Sequence, residues 1–215
     1  GDVYKRQDIY FRSVMHLILT ILAIFILGSE LSARPFAYVV ADARDGKIIN
    51  SHNSRQIVHP ASLTKMMTLY LAFDAIRNGR LKLDQKVIIS KNAASEPPSK
   101  FWYKPGQRVS IRYLIRASAI RSANDAATAL GEAISGSEKI FISDMNKAAK
   151  KMGMNSTNFL NAHGLTEIGH YSTAKDMLIL ARRLMLDYPE YFNIFSRLET
   201  YASGKKIKNT NYKFL

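Results

Sequence analysis

The order of apolar and polar residues predicts strands at the start of the chain and helices through its middle. Residues 36–41 (FAYVVA) are β-branched and aromatic, which favours a strand. Asp45-Gly46 is a hairpin signal, so residues 47–50 are predicted to return as a second strand. Beyond Pro60, a stretch rich in Leu, Met and Ala predicts a helix over residues 62–76.

The rest of the chain is mostly helical by its composition and periodicity, and strand character returns near its end. Helices are predicted over residues 110–120, 124–134, 140–152 and 173–185, and Gly153 is expected to end the third. A short strand at 87–89, a proline-rich loop at 95–106 and strands within 198–215 complete the pattern. Strands on both sides of a helical middle predict an α/β fold of the α+β type, with an antiparallel sheet and a helical subdomain.

The beginning of the chain has the pattern of an export signal. Residues 17–27 (LILTILAIFIL) form an apolar run after Arg12, and the small residue Ala33 follows a few positions later. This order is typical of a secretory signal, and eleven residues fall short of the about 20 that span a membrane. We therefore predict an exported protein, in the periplasm or on the outer face of the cytoplasmic membrane. A retained membrane anchor is the less favoured alternative.

The predicted domain boundaries follow from this leader. Residues 1–33 are assigned to the signal region, and residues 34–215 to one folded domain, because about 180 residues suffice for a single core. Residues 1–7 (GDVYKRQ) match no targeting pattern, so we regard their origin as doubtful.

Composition narrows the set of partners and cofactors. The chain has a formal net charge of +14, which suits an anionic partner such as a membrane surface or an acidic cell-wall polymer. The basic residues are scattered without an aromatic-interleaved stripe, which argues against nucleic-acid binding. The chain contains no cysteine, and His52, His59 and His170 lack the spacing of metal ligands. We therefore expect no metal and no other cofactor.

One serine–lysine pair supplies the candidate catalytic residues of the chain. The pattern S-x-x-K begins at Ser62, Ser172 and Ser203. The second of these is predicted to lie near a helix cap and the third in a Gly/Lys turn. Only Ser62 and Lys65 open an apolar helix, where they share one face and where the helix dipole favours developing negative charge. An amine beside a hydroxyl can take its proton and create a nucleophile.

A second polar group follows 60 residues later, between two predicted helices. Ser122-Ala123-Asn124 is one of four S-x-N tripeptides in the chain. Small residues follow it, which allows the next helix to pack closely against its neighbours. This context favours Ser122 as a second candidate beside the first pair.

These motifs and several longer segments resemble the serine-type D-Ala-D-Ala carboxypeptidases, which are the low-molecular-mass penicillin-binding proteins. The segments are PASLTKMMT (60–68), SANDA (122–126), FLNAHGL (159–165) and YSTAKD (171–176). The resemblance extends over residues 36–215. It implies a penicillin-binding/β-lactamase-like transpeptidase fold.

The resemblance also implies a role for each candidate residue. Ser62 attacks the carbonyl between the two terminal D-alanines of a peptidoglycan stem peptide, and β-lactam antibiotics acylate the same serine. Lys65 is the general base, so burial or a nearby cation must lower its pKa from about 10.4. Ser122 relays the proton to the leaving amine, and Asn124 binds the substrate or orients the lysine. His163 either lines the cleft as a substrate-binding residue or, as we favour, bonds backbone in a tight glycine turn.

The chain departs from the family at one motif. Neither K-T-G nor K-S-G occurs in residues 1–215, although the corresponding strand lines the cleft in the family and supplies an oxyanion donor. We therefore expect an N-terminal fragment of the catalytic domain, truncated before that strand and inactive by itself. A DD-endopeptidase, a class A β-lactamase and a non-catalytic cell-wall-binding relative are the alternatives. Residues 157–161 lack the glutamate that a class A β-lactamase needs, which disfavours that reading.

Overall fold

The computed structural model describes Met15, residues 36–211 and Lys213 of the chain. Apart from Met15, the predicted export signal lies outside these residues, and the boundary at residue 33 stays a prediction. The residues described beyond Phe36 belong to one compact unit, residues 37–215. Among the described residues, no helix is both long enough and apolar enough to cross a bilayer.

The five predicted helices are confirmed to within a few residues at their ends. In the described residues the helices are α1 (Lys65–Arg77), α2 (Lys91–Ser95), α3 (Ile111–Arg121), α4 (Asn124–Ser135), α5 (Glu138–Met152), α6 (Ala174–Asp187) and α7 (Pro189–Phe192). The first prediction differs at its start, because Ala61–Thr64 forms a 3₁₀ turn before α1. A second 3₁₀ turn spans Asn193–Ser196. The short helices α2 and α7 were missed, since so few residues show no periodicity.

Local side-chain contacts explain where these helices begin and end. Ser137 caps α5 by accepting the backbone N–H of Ile140 at 3.3 Å. Thr173 caps α6 in the same way, since its hydroxyl accepts the N–H of Asp176 at 3.0 Å. Gly153 ends α5 with a φ of +85°, a conformation that glycine adopts without strain.

Strands are short and pair two by two. They are β1 (Tyr38–Ala41), β2 (Ile48–His52), β3 (Lys86–Ile88), β4 (Arg108–Ser110), β5 (Glu199–Ala202) and β6 (Lys205–Lys208). The pairs β1–β2, β3–β4 and β5–β6 are antiparallel, with Val39 opposite Ser51 in the first. The α+β class with antiparallel strands is confirmed. The strands near the two ends do not share one ladder, since each strand of the described residues pairs with a single partner.

Helix α4 lies at the centre of the core. Its residues 124–131 are all buried, and α1, α3 and α5 pack around it. Gly131 allows α5 to approach, because a Cβ at this position would lie 2.5 Å from the ring of Phe141. The N-terminal end of α4, which carries Asn124, is therefore fixed inside the molecule next to α1.

Candidate active site

Ser62 is presented by the 3₁₀ turn that leads into α1. Pro60 precedes this turn, and Lys65 is the first residue of the helix. Ala61 has a φ of +47°, a left-handed conformation that is uncommon for alanine. Ser62 is exposed whereas Lys65 is buried. The turn thus leaves Ser62 exposed to solvent, while Lys65, three positions later, is enclosed by the protein.

The loop of residues 161–165 closes against this turn. Gly164 has a φ of +88°, and a Cβ on it would lie 1.8 Å from the carbonyl oxygen of Ala61, so glycine is required. Nearby, the Thr68 hydroxyl donates to the carbonyl oxygen of Ala162 at 2.6 Å. The close approach of Gly164 to Ala61 and the hydrogen bond from Thr68 together fix the loop against the first turns of α1.

A buried histidine adds a second link between the turn and the following segment. The Nδ1 of His170 accepts the N–H of Leu160 at 3.2 Å, so its proton lies on Nε2 and is donated to the Thr64 hydroxyl at 2.9 Å. Burial lowers the pKa of His170 to about 4, helped by the neighbouring imidazoles of His163 and His59. The ring is therefore neutral at neutral pH and keeps this donor in place.

Lys65 is held by two acceptors in a nearly closed site. Its Nζ donates to the side-chain oxygen of Asn124 at 2.8 Å and to the backbone oxygen of His163 at 2.7 Å. Only 3% of the residue is exposed. Burial lowers the pKa of Lys65 to about 8, although the carboxylates of Glu96 and Asp125 act in the opposite direction. Of the two causes that the sequence reasoning left open, burial or a nearby cation, burial is the one that acts here.

Ser122 is brought to the same place by the turn between α3 and α4. It ends α3 in a left-handed conformation, with a φ of +57°. A cavity of about 530 Å³ is lined by Ser62, Lys65 and Ser122 together, with Ser99 and Ser118 among the other lining residues. The structure therefore gathers the three residues that the sequence singles out as candidates for catalysis.

The first residues of α4 hold one wall of this region. Besides accepting from Lys65, Asn124 donates from its side chain to the Pro97 carbonyl at 2.9 Å and from its backbone to the Ser99 carbonyl at 2.8 Å. The fully buried Asp125 accepts the backbone N–H of Phe101 at 2.9 Å and that of Tyr103 at 3.1 Å. The proline-rich loop is thus tied to α4 through its backbone.

A sequence profile described as D-alanyl-D-alanine carboxypeptidase, the peptidase S11 family, matches residues 28–214. The chain belongs to this family. The resemblance that the motifs indicate is thereby confirmed, and so is the fold class that it implies.

Individual relatives agree with this assignment. The chain is 39% identical over 186 residues to D-alanyl-D-alanine carboxypeptidase DacF of Bacillus subtilis (strain 168), covering 86% of this chain and 46% of that protein. It is 37% identical over 181 residues to DacC of Escherichia coli (strain K12), covering 81% and 45%. Its fold matches the crystal structure of penicillin binding protein 5 from Haemophilus influenzae with a TM-score of 0.79 at 34% identity, over 85% of this chain and 54% of that one. The chain spans about half the length of these relatives.

The other two S-x-x-K pairs in this carboxypeptidase family member lie in different surroundings. Ser172 is fully buried, and its hydroxyl lies 2.8 Å from that of Thr157. Ser203 lies in the turn between β5 and β6, while Lys206 pairs with Glu199 at 2.7 Å. Neither pair lines the cavity that contains Ser62.

Removing the Asp125 carboxylate is expected to destabilise this family fold strongly. In Asp125→Ala the buried N–H groups of Phe101 and Tyr103 lose their acceptor, at a cost of about 1–3 kcal/mol each. Chemical denaturation should therefore show a loss of about 2–6 kcal/mol in the free energy of unfolding. Asp84→Ala is the control, because Asp84 is exposed and pairs with Arg112 at the surface, so its loss should change the free energy of unfolding far less.

Ser118 carries an unpaired hydroxyl in the wall of the same cavity. It is 2% exposed, and among the described residues its Oγ has no hydrogen-bond partner. Because a buried unpaired hydroxyl is costly, Ser118→Ala should raise the free energy of unfolding by about 1 kcal/mol. Ser110→Ala on the same helix should instead lower it by about 1 kcal/mol, since Ser110 caps α3. A loss of stability in Ser118→Ala would contradict this account.

His163 and Glu96 form a pair that sequence reasoning did not find. The imidazole Nε2 lies 3.0 Å from a Glu96 carboxylate oxygen, and Nδ1 accepts the Leu165 N–H at 3.2 Å. Both side chains line a second cavity of about 710 Å³ beside the first. Glu138 completes a group whose potential metal-ligand atoms all lie within 4.8 Å of one another. These are the described residues best placed to hold a cation, although the histidine already donates to the acid.

The sequence carried only weak signals for these further residues. Asp125 directly follows the S-x-N motif, which marks it as near the site but says nothing of the loop that it holds. The contact of His163 with Lys65 runs through a backbone oxygen, which every residue possesses. Gly164 follows His163 in a tight turn, and its close approach to Ala61 depends on segments about 100 residues apart.

Proposed function

We propose that the protein is a serine-type D-Ala-D-Ala carboxypeptidase that removes the terminal D-alanine from peptidoglycan stem peptides. The observation that carries this proposal is the cavity shared by an exposed Ser62, a buried Lys65 and Ser122. Membership of the carboxypeptidase family supports it. No residue lining that cavity, within the part of the chain described, carries a carboxylate, so the class A β-lactamase alternative is not favoured.

In the proposed reaction, the Ser62 oxygen bonds to the carbonyl carbon of the penultimate D-alanine while Lys65 Nζ takes the hydroxyl proton. The tetrahedral intermediate then collapses, and the bond to the terminal D-alanine nitrogen breaks. The proton passes through Ser122 to that nitrogen, which leaves as an amine. A water molecule next attacks the ester, which releases the shortened peptide acid and returns the proton to Ser62.

The contacts of Lys65 suit it to the role of base. A neutral amine has two N–H groups and one lone pair, and Asn124 and His163 offer two acceptors. With both hydrogens engaged, the lone pair is left to accept a proton from Ser62. A pKa of about 8 leaves about a tenth of the lysine neutral at pH 7, whereas the ordinary value of 10.5 would leave less than a thousandth.

The remaining roles are assigned from the same geometry. Ser62 lies at the N-terminal end of the 13-residue helix α1, where the helix dipole favours the negative charge of the intermediate. We assign Asn124 to orienting Lys65 and to binding the substrate amide. The buried imidazole of His163 is assigned to supporting Lys65, rather than to the substrate contact that was the less favoured alternative from sequence.

The predicted localisation and binding partners belong to the same proposal. Residues 1–33 direct export, and the protein acts on the cell wall in the periplasm or at the outer face of the cytoplasmic membrane. The net charge of +14 supports contact with an anionic membrane surface, and nucleic acid is not a partner. β-Lactam antibiotics resemble the D-Ala-D-Ala end and acylate Ser62.

Endopeptidase activity is the second candidate function. The chain is 31% identical over 148 residues to the D-alanyl-D-alanine endopeptidase of Pseudomonas aeruginosa PAO1, covering 67% of this chain. An endopeptidase would use the same nucleophile on a cross-linked peptide instead of a free chain end. The two activities therefore differ in substrate and not in the chemistry of Ser62.

The proposal is tested by labelling and by product analysis on the full-length protein. Fluorescent penicillin should form a covalent adduct that peptide mapping by mass spectrometry places on Ser62. A peptide ending in D-Ala-D-Ala should release free D-alanine, and a cross-linked dimeric peptide should react more slowly. Preferential cleavage of the dimer would favour the endopeptidase. An adduct on another residue, or no adduct and no product, would refute the proposed function.

A further inference from the structure

His163 contacts Lys65 through its backbone and an acid through its side chain. Its carbonyl oxygen accepts a hydrogen bond from Lys65 Nζ at 2.7 Å. Because Nδ1 accepts the Leu165 N–H, the ring proton lies on Nε2 and is donated to Glu96 at 3.0 Å. Both nitrogens of the imidazole are therefore hydrogen-bonded. These bonds fix the position of His163, and with it the carbonyl oxygen that accepts from Lys65.

Glu96 is itself fixed by its neighbours. Its other carboxylate oxygen accepts the Thr128 hydroxyl of α4 at 2.9 Å, and the adjacent Pro97 carbonyl accepts from Asn124 at 2.9 Å. The side chains of Glu96 and His163 are only 11% and 6% exposed. Burial acts to raise the pKa of Glu96, but the hydrogen bonds from His163 and Thr128 and the charge of Lys100 keep it below the usual value. Glu96 is therefore ionised at neutral pH.

We propose that Glu96 is a positioning residue for Lys65. Through His163, Glu96 fixes the carbonyl oxygen that accepts from Lys65, and its negative charge favours the protonated form of the Lys65 amine. This inference rests on the proposed function, in which Lys65 is the base. Glu96 lines the neighbouring cavity, so it acts through other residues and not on the substrate. A residue that only packed the loop would not change how Lys65 titrates, and this difference makes the proposal testable.

Other ionisable groups face this pair from the surrounding elements. Asp125 at the start of α4 acts on Lys65 in the same direction as Glu96. Glu138 of α5 approaches Glu96 and His163, and the neutral ring of His170 lies in the segment before α6. All of them remain when Glu96 alone is replaced, so a changed titration reports on Glu96.

Two substitutions separate the charge of Glu96 from its hydrogen bond. Glu96→Gln removes the charge and keeps an acceptor for His163, so Lys65 should titrate about 1 pH unit lower, with an unchanged acylation rate at alkaline pH. Glu96→Ala removes both, so the alkaline rate of penicillin acylation should fall about tenfold or more. Glu132→Gln is the matched control, because Glu132 lines the same cavity but accepts from Ser90. It should leave both measurements unchanged.

The titration is followed by NMR of the Lys65 side chain in isotope-labelled full-length protein, which requires no substrate. A Lys65 midpoint that is unchanged in Glu96→Gln overturns the proposal, and so does a wild-type alkaline rate in Glu96→Ala. A wild-type midpoint that moves on dialysis against a chelator assigns the cluster to a metal ion and also overturns it. If wild-type acylation does not follow the Lys65 titration, the base role fails, while the NMR midpoints still decide the role of Glu96.

Discussion

Ser62→Ala is expected to abolish covalent labelling by fluorescent penicillin, down to the background of denatured protein. Ser62 is exposed at the start of α1 and lines the cavity that also contains Lys65 and Ser122. Alanine removes the oxygen that forms the ester, so no acyl-enzyme can accumulate. The fold should survive, because the side chain lies at the surface of a cavity and not in the core. In-gel fluorescence measures the label, and thermal unfolding measures the fold.

The other S-x-x-K serines provide matched controls. Ser172→Ala and Ser203→Ala should both keep penicillin labelling, because neither residue lines the cavity. The first is expected to lose about 1 kcal/mol of stability, since its hydroxyl bonds to Thr157. Label that persists in Ser62→Ala but disappears in one of these controls would move the nucleophile to the other serine.

Lys65→Arg is expected to slow penicillin acylation by about 10²–10⁴-fold while the cation is retained. Arginine remains protonated throughout the working pH range, so it cannot take the hydroxyl proton from Ser62. Stopped-flow or timed gel labelling gives the acylation rate. Lys175→Arg, in the second S-x-x-K pair, is the control and should leave the rate within about twofold of the wild type.

The pH dependence distinguishes a base from a simple positive charge. Burial lowers the pKa of Lys65 to about 8, so the amine is mostly protonated below that pH and mostly neutral above it. Wild-type acylation should therefore rise with pH and level off above about 8. In Lys65→Arg this rise should be missing. An arginine variant with nearly normal acylation would rule out the base role.

The long helices could be predicted from sequence because their signals are local. Thr173, Ser137 and Gly153 mark helix ends within a few residues, and apolar spacing supplies the rest. The five-residue α2 and four-residue α7 escaped because periodicity needs several turns to be seen. The pairing of strands depends on contacts between distant segments, which explains why a single sheet was expected and separate ladders were found.

The candidate site divides in the same way. Ser62 and Lys65 lie three positions apart in the sequence, so their proximity follows from a helical turn alone. The gathering of Ser122 and Asn124 around them was predicted through the family resemblance. Glu96 could not have been found, because it lies in a proline-rich loop with no pattern of its own. Its proposed role depends on the backbone oxygen of His163. Every residue has a backbone oxygen, so the sequence does not indicate which one accepts a hydrogen bond.

The contact between Gly164 and the Ala61 carbonyl has a consequence for the order of folding. Ser62 and Lys65 emerge early in synthesis, but the carbonyl that receives the lysine belongs to His163, 98 residues later. The link from Thr64 to His170 spans 106 residues. A nascent chain that ends before residue 163 would carry the serine and the lysine without this support. We therefore expect reactivity toward penicillin to appear late in folding, after these non-local contacts have closed.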